Sequence, residues 1–383
     1  MMKNKIDPEL LSKISILDNK NKLKCLIWYN NLRDLRNLKL NNPTYFPFIK
    51  AVAVDANTND IFNIASISSV DYISSNSKVF TQVNVAKKII GIEKQDTLSS
   101  SNFSCAVIDT GLFPHLDFML KKNNIIAFKD FVNHKNEIYD DNGHGTVVSG
   151  ILSGSGIVSG KKYEGIDSNL KLVVIKTLNA EGEAGAINIL EAMQWILNNK
   201  EKYNIRIVCM SFGSTVLERN DPLIAGAEVL WDNGIIVVSA CGNSGPDSGT
   251  IKSPSASTKI ISVGALDDGR DGDLFNEKNF NVASFSSRGP ILNNYKPDLV
   301  VSGVEINSCC NFGLFKKFYS KTSGTSVATP IVAGVCSLIL RKNGNLTPNQ
   351  VKQILIHNCI PITGDRNSEG YGWLKLKKFF NNN

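Results

Sequence analysis

Three residues of the types that carry out acyl transfer lie in short segments rich in small residues. Asp109 lies in AVIDTG, His144 in DDNGHGTVVSG and Ser326 in SGTSVATP. Hydrolysis by an activated serine needs a hydroxyl nucleophile, an imidazole that takes its proton, and a carboxylate that orients and stabilises the imidazole. The first two residues are 35 positions apart and the last two 182. Only the folded chain can bring them together.

His144 is the candidate base by elimination among the chain's four histidines. His357 lies in a predicted helix that carries Lys and Gln and is expected to face solvent. His134 lies in a polar loop, and His115 follows a proline in a turn, where a capping or surface role is the simpler interpretation. His144 has small neighbours and an apolar helix after it, which allows another catalytic element to approach closely, although taken alone such a histidine is more often structural.

Each of the other candidates also has a structural explanation. Asp109 ends an apolar strand, where a carboxylate is commonly a turn or cap residue. Ser326 precedes the apolar helix VATPIVAGVCSLIL and could cap it. As a nucleophile at the same place, it would have backbone N–H groups and the positive helix end beside the developing oxyanion. Three such signals in one chain favour catalysis over coincidence.

Apolar runs alternate with helical patterns from about residue 104 onward. Most of the runs are continuous in Val, Ile and Leu, which is typical of parallel strands covered on both faces. The sequence therefore predicts an α/β fold with a doubly wound, mostly parallel sheet and helices on both faces. The predicted strands are 104–109, 124–131, 170–178, 205–213, 234–242, 259–266 and 298–303, and the clearest helices are 185–200 and 221–234.

The N-terminal part follows a different pattern and predicts a small α+β domain. Residues 8–40 are expected to be helical, followed by a strand at 46–56, a short helix at 57–68 and a second strand at 70–80. We divide the chain into a propeptide-like or accessory domain at 1–82, a polar connector at 83–102 and a catalytic domain at 103–383.

Composition narrows the class of protein. The formal net charge is +7, and residues 1–40 contribute nine Lys or Arg against four Asp or Glu. These lysines alternate with Leu and Ile at helical spacing, so a solvated amphipathic face is favoured over nucleic-acid binding. Several of the eight cysteines lie in apolar runs, and no secretory leader is evident. We therefore expect free thiols, a cytoplasmic location and no membrane or nucleic-acid partner.

The three motifs D-T-G, H-G-T and G-T-S-x-A resemble those of the subtilisin-like serine peptidases, the subtilase family. The resemblance covers roughly residues 100–360. It implies catalytic roles for Asp109, His144 and Ser326. A further match, SACGNSGPDS, implies that Asn243 donates its side-chain amide to the oxyanion hole; taken alone it would be a turn residue.

The same resemblance implies a peptide cleft. An extended substrate would pair its backbone with two segments, by strand addition. The implied cleft residues are Ser211, Phe212, Gly213, Ser239, Ala240, Cys241 and Gly242. The first 80 or so residues resemble the family's inhibitory propeptide more weakly, so an accessory domain stays open as an alternative.

The resemblance requires no cofactor for the chemistry and leaves structural calcium open. Asp117 stands where a calcium ligand is expected, yet GSGIVSGKKYEG has no carboxylate before Glu164. We expect a leaderless, intracellular relative that acts on polypeptides and has its own N-terminal segment as a possible inhibitor. The leading interpretation is a serine endopeptidase, and the alternative is a catalytically silent pseudoprotease that binds or senses partners.

Overall fold

The structure is a computed structural model. It describes residues 5–8, 10, 11, 14, 21–36, 40–75, 78–81, 89–92, 102–120, 124–217, 220–269 and 276–381. Most of the predicted connector at 83–102 therefore lies outside the described residues, and the predicted domain division stays a prediction.

The N-terminal unit is an antiparallel sheet with helices. Its strands pair in the order β2-β3-β1-β4. Asn57 caps helix α2 by a capping box, since its side chain accepts the Asp60 N–H and the Asp60 carboxylate accepts the Asn57 N–H. The elements are β1 (Leu23–Tyr29), α1 (Leu32–Arg36), β2 (Thr44–Phe46), β3 (Ala51–Ala56), α2 (Thr58–Ala65) and β4 (Val70–Ser75), followed by β5 (Lys78–Thr81).

This sheet is buried on both faces. Side chains of one face, including Ile27 and Val54, form a core with α2. Side chains of the other face, including Leu26 and Trp28, join the main core of the protein. Alternate residues of a strand point to opposite faces, so every other position serves a different core. The N-terminal unit is thus packed firmly against the rest of the chain.

The remainder of the chain is built on a large central sheet. The strands of this part of the chain are β6 (Ser104–Asp109), β7 (Ile125–Asp130), β8 (Lys171–Lys176), β9 (Ala184–Gly185), β10 (Ile205–Met210), β11 (Phe212–Gly213), β12 (Ile236–Ala240), β13 (Ile261–Asp267), β14 (Asn281–Val282), β15 (Leu299–Ser302), β16 (Ile306–Cys309), β17 (Tyr319–Thr322), β18 (Cys359–Ile360) and β19 (Trp373–Leu374). Strands β9 and β11 pair with β5 in a separate sheet, and β16 and β17 form a two-stranded sheet of their own. The helices are α3 (Leu116–Met119), α4 (His144–Ser153), α5 (Ala186–Tyr203), α6 (Pro222–Asp232), α7 (Phe312–Phe315), α8 (Thr325–Lys342), α9 (Pro348–His357), α10 (Arg366–Glu369) and α11 (Lys377–Asn381).

The sheet order is β18-β19-β15-β13-β12-β10-β6-β8-β7, with β14 paired to β13. Pairings from β7 through β19 along this order are parallel, and β14 and β18 pair antiparallel. All six residues of β6 are buried, so both of its faces are covered. The predicted doubly wound, mostly parallel α/β fold is confirmed.

Helices α4 and α8 pack on each other and on the sheet, and α5 and α6 form a second such pair. Helix α8 has the length and composition of a membrane span, and 89% of its apolar window is buried inside the protein, where a core helix meets the same test. This buried helix carries Ser326 at its start, so its packing fixes the serine relative to the sheet.

Two predictions for the N-terminal region are wrong in detail. The helix predicted over 8–40 contains strand β1, because LKCLIWY is apolar on both sides and such a short run does not distinguish a strand from a buried helix. The strand predicted over 70–80 is two strands, β4 and β5. These two strands pair with different sheets: β4 with β1, and β5 with β9 and β11.

Candidate active site

The ends of β6, α4 and α8 bring Asp109, His144 and Ser326 together. The Asp109 Oδ1 atom lies 2.6 Å from His144 Nδ1, and His144 Nε2 lies 3.5 Å from Ser326 Oγ. Asp109 is fully buried, and the other two are 3% and 1% exposed. The His144 Nδ1–H therefore donates to the carboxylate, and Nε2 is left facing the Ser326 hydroxyl. The longer second contact is within the range of catalytic hydrogen bonds that tighten when substrate binds.

The close approach of α4 to the turn after β6 requires glycine. A Cβ atom on Gly145 would lie 2.1 Å from the carbonyl oxygen of Gly111. Any side chain at this position would push α4, and with it His144, away from Asp109. This contact explains in physical terms why small residues surround both catalytic segments.

Asp140 holds this approach together, and sequence reasoning missed it. Its Oδ1 accepts the Thr110 hydroxyl at 2.9 Å, and the Thr110 oxygen in turn accepts the Gly145 N–H at 2.8 Å. Its Oδ2 accepts the N–H and the hydroxyl of Thr146 at 2.9 and 2.6 Å. One buried carboxylate thus links the residues that follow Asp109 and His144. The sequence did contain a signal for this role, because Asp140 lies only four positions before His144 in the same motif.

Sequence reasoning also missed Lys176, which holds the turn after β6 through its ammonium group. Its buried ammonium donates to the carbonyls of Thr110 and Leu178 at 2.6 and 2.8 Å and to Asp141 Oδ1 at 2.6 Å. A charge inside the protein is stable only with partners of this kind. The sequence shows it as a lysine that ends the apolar strand β8, an unusual place for an unpaired cation.

Ser326 is the second residue of α8, after Gly324 and Thr325. The first four N–H groups of a helix have no partner inside the helix, and they lie at its positive end. The Ser326 N–H can therefore donate to an oxyanion that forms next to its own side chain.

Asn243 is oriented toward the same place. Its Oδ1 accepts the N–H and the hydroxyl of Thr325 at 2.9 and 2.8 Å. A backbone N–H can only donate, so this end of the amide is the oxygen, and the NH2 group is left for the cavity beside Ser326. The structure thus offers two donors near the nucleophile: the Asn243 amide and the Ser326 N–H.

Replacing Asn243 with Ala is expected to lower kcat about 100- to 1,000-fold with little change in KM, the size of effect that follows the loss of one oxyanion-hole donor in a serine peptidase. The amide stabilises negative charge that develops on the substrate oxygen after attack, and not the substrate itself. Steady-state kinetics on a peptide substrate measures both constants. A loss that falls mainly on KM would assign Asn243 to substrate binding.

A cavity of about 260 Å³ opens beside Ser326 and Asn243. We call it the catalytic cavity; its other lining residues are Ser211, Phe212, Gly213, Ala240, Gly242, Ser244, Lys252 and Thr325. Five of the seven predicted cleft residues line it. Ser239 and Cys241 are fully buried and do not, because they alternate with Ala240 and Gly242 along an extended segment. Burial raises the pKa of Cys241 to about 12, so this thiol is no rival nucleophile.

Strand β5 lies between β11, which belongs to the predicted cleft, and β9. Phe80 and Thr81 pair antiparallel with Gly213 and Phe212 of β11. On the other side, Lys78 and Val79 pair antiparallel with β9. A stretch of the N-terminal part of the chain therefore takes the place of an extended peptide, bound by its backbone on both edges.

The surroundings of Asp117, the weak calcium candidate, do not suit calcium. Its Oδ2 accepts the Gly156 N–H at 3.0 Å and the Tyr319 hydroxyl at 2.8 Å, and its Oδ1 accepts the Val158 N–H at 3.1 Å. Calcium requires about six to eight oxygen ligands around it. Here protein donors occupy the carboxylate, and among the described His, Cys, Asp and Glu side chains those that cluster with it are His115 and Cys309, neither of which offers oxygen.

Replacing Asp117 with Asn is expected to lower the free energy of unfolding by about 1.5–3 kcal/mol, because a buried acceptor of several hydrogen bonds is lost. The loss should be equal in calcium chloride and in EDTA, since protein donors already occupy this carboxylate. Urea unfolding of wild type and variant in both media measures it. A wild type that is stabilised by calcium when the variant is not would restore the calcium assignment.

His115 is 1% exposed, not a surface residue, and it caps α3. Its Nδ1 accepts the Asp117 N–H at 3.1 Å, so Nε2 carries the proton toward the Phe318 carbonyl at 2.9 Å. Burial lowers the pKa of His115 because it disfavours the imidazolium. His134 and His357, in contrast, are exposed.

The lowered pKa of His115 predicts a loss of stability in mild acid. As the pH falls below about 6.5, His115 takes up a proton in the unfolded chain but not yet in the native protein. Protonation therefore favours the unfolded chain, and the free energy of unfolding falls as the pH falls from about 6.5 toward the lowered pKa of native His115. His115→Asn keeps a cap that does not titrate. Wild type should lose more stability than His115→Asn between about pH 7.5 and 5.5 in urea unfolding. Equal losses would assign the acid sensitivity to other groups.

Comparisons with known proteins agree with this geometry. The sequence pattern of the subtilase family matches residues 100–373. The chain is 40% identical over 293 residues to serine protease AprX of Bacillus subtilis, covering 72% of this chain and 64% of AprX. It is 30% identical over 275 residues to subtilisin Savinase of Lederbergia lenta, covering 72% of this chain and 89% of Savinase.

Solved structures give the same result. Sphericase superimposes with a TM-score of 0.65 at 26% identity, over 77% of this chain and 98% of that one. Fervidolysin from Fervidobacterium pennivorans gives a TM-score of 0.73 at 20% identity, over 93% of this chain and 60% of that one, which shows a shared fold. The chain therefore belongs to the subtilase family of serine proteases.

Proposed function

We propose that this protein is a serine endopeptidase that cleaves polypeptides through an acyl-enzyme. The observation that supports this proposal is the hydrogen-bonded triad of Asp109, His144 and Ser326. The triad lies beside a cavity into which the Asn243 amide is directed. No group outside the chain is needed for this chemistry, since side chains and a backbone N–H supply every donor and acceptor.

In the first half of the reaction, Ser326 Oγ attacks the peptide carbonyl carbon, and its proton passes to His144 Nε2. The carbonyl oxygen becomes an oxyanion that accepts from the Ser326 N–H and the Asn243 amide. The C–N bond then breaks as His144 returns the proton to the leaving amine. Asp109 stabilises the transient imidazolium through Nδ1 without taking the proton itself.

In the second half, water attacks the acyl-enzyme carbonyl while His144 takes one of its protons. A second tetrahedral oxyanion forms in the same place. It collapses by releasing Ser326 Oγ, which recovers its proton from His144, and the acid product leaves.

We propose further that the N-terminal segment is the protein's own first substrate and inhibitor. Two features support this proposal: β5 is bound between β9 and β11 as a peptide would be, and the N-terminal sheet is packed against the main core. After cleavage in the segment that follows Thr81, β5 would stay in the cleft as part of the N-terminal product, and the cleft would open only when that product dissociates.

Labelling with a fluorophosphonate tests the activity. Wild type should gain one adduct, mapped to the peptide that contains Ser326, and should hydrolyse casein. Absence of both labelling and hydrolysis would favour the pseudoprotease alternative.

Intact mass tests the self-processing. Purified wild type should lack its first 80–100 residues, and Ser326→Ala should keep its full length. Full-length wild type that hydrolyses casein would show that the N-terminal unit is an accessory domain. Truncated Ser326→Ala would show that another protease makes the cut.

A further inference from the structure

One ionisable side chain lines the catalytic cavity. Lys252 is half-buried there among residues that carry no formal charge. It lies in the loop after β12, and no motif in the sequence marks it. Because it lines the same cavity as Ser326 and Asn243, it can contact a substrate side chain that enters the cavity.

The lysine stem lies between the two edges of the cavity. A Cβ atom on Gly213 would lie 2.6 Å from Lys252 Cβ, and one on Gly242 would lie 2.5 Å from Lys252 Cγ. The absence of side chains at these two glycines therefore makes room for the stem of Lys252. Its methylene groups form part of the cavity wall where both cleft segments pass.

The backbone around Lys252 is fixed to both segments. The Lys252 N–H donates to the Cys241 carbonyl at 2.9 Å, next to Gly242. Ser253 and Ser214 exchange two backbone hydrogen bonds of 2.9 Å, which joins the loop to the chain after Gly213. The lysine thus has a defined place in the cavity.

Among the residues that the structure describes, the Lys252 ammonium group donates no hydrogen bond and enters no ion pair, whereas the buried Lys176 and Lys296 are fully engaged. Lys176 donates to two carbonyls and a carboxylate, and Lys296 pairs with Asp298 at 2.9 Å. An unpaired cation in a half-buried cavity favours a ligand that brings the missing negative charge.

We propose that Lys252 selects an acidic residue, Glu or Asp, immediately before the bond that is cleaved. This inference rests on the proposed function. Ser326 attacks the carbonyl of that residue and Asn243 holds its oxygen, so the side chain on the same residue is the one that enters a cavity lined by both. The ammonium then pairs with its carboxylate in a place partly shielded from water.

A matched set of peptides tests the charge alone. The substrates are identical except for Glu, Gln, Leu or Lys before the cleaved bond. Wild type should show a kcat/KM for Glu about tenfold or more above that for Gln, which has the same shape without the charge. The Lys peptide should be the poorest of the set, because like charges repel.

Three variants show whether Lys252 is the cause. Lys252→Met keeps an unbranched stem without the charge and should bring the Glu-to-Gln ratio close to one. Lys252→Glu should make the Lys peptide better than Gln. Lys259→Met is the matched control, because Lys259 is exposed and pairs with Asp232 outside the cavity. It removes the same charge and should leave the ratio as in wild type.

Two results would overturn the proposal and leave the peptidase activity standing. One is equal hydrolysis of the Glu and Gln peptides by a wild type that fluorophosphonate labels fully; the lysine would then serve only as an apolar wall with its charge in water. The other is a ratio unchanged in Lys252→Met.

Binding to the inactive protein separates specificity from chemistry. Calorimetry of Ser326→Ala with product peptides that end in Glu or in Gln should show tighter binding of the Glu peptide. The N-terminal segment is removed for this measurement by adding a trace of wild-type enzyme. If wild type shows neither labelling nor hydrolysis, the proposed function fails and the role of Lys252 fails with it, whereas equal binding of both peptides beside an active wild type rejects the role of Lys252 alone.

Discussion

Replacing Ser326 with Ala is expected to lower kcat about a million-fold, a magnitude carried over from the triad serine of subtilisin, a member of the same family. Without Oγ no acyl-enzyme forms, and the remaining rate comes from water near the oxyanion donors. The substitution leaves the fold intact, because the hydroxyl contacts His144 at 3.5 Å and alanine suits the start of α8. Peptide hydrolysis measures the loss, with both proteins freed of the N-terminal segment and compared at equal concentration by absorbance.

A double variant shows whether Ser326 and His144 act as one unit. His144→Ala alone should cost nearly as much as Ser326→Ala, and the double variant should be no worse than either single variant. The reason is that an imidazole has no proton to take once the hydroxyl is gone. Losses that add in the double variant would mean that the two residues stabilise the reaction separately. Circular dichroism and melting temperature of each variant confirm folding.

The central sheet and the order of the catalytic segments were predictable because their signals are local. The continuous apolar run SCAVID predicted both ends of β6 correctly. Small residues mark the place where α4 approaches the turn after Asp109 closely. In both cases the cause of the structure lies within a few positions of the residue concerned.

Residues that act through distant partners could not be predicted. Lys252 follows an isoleucine in a loop, and its place in the catalytic cavity depends on where Gly213 and Gly242 pass. The environment of Asp117 depends on Tyr319, a residue of the hairpin far along the chain. A local sequence pattern carries no information on such contacts, so it gave a calcium candidate where protein donors occupy the carboxylate.

The error at β1 has a related cause. Cys25 and Ile27 face one core, and Leu26 and Trp28 face the other. A strand with both faces buried loses the alternation that would identify it. The prediction of a helix failed because the second core is provided by α5 and α6, which lie more than a hundred residues away in sequence.

Replacing Asp109 with Asn is expected to lower kcat about 10,000-fold with little change in KM or in melting temperature, as in other serine peptidases with this triad. The carboxylate is fully buried, and its Oδ1 accepts both His144 Nδ1–H and the Thr110 N–H, at 2.6 and 2.7 Å. An amide of the same shape still packs there but offers no negative charge. The His144 imidazolium that forms during attack then lacks a negative charge beside it in a site shielded from water.

Comparison with Asp140→Asn shows whether Asp109→Asn lowers kcat through the chemistry or through a loss of folding stability. Asp140 accepts from Thr110 and Thr146 and does not touch His144, so its loss should lower the melting temperature, and kcat should fall less than in Asp109→Asn. Fluorophosphonate labelling rates should follow kcat in both variants, because labelling requires the same activated hydroxyl. A loss of less than about tenfold in Asp109→Asn would mean that His144 acts as base without the buried charge, and the triad would reduce to a Ser-His pair.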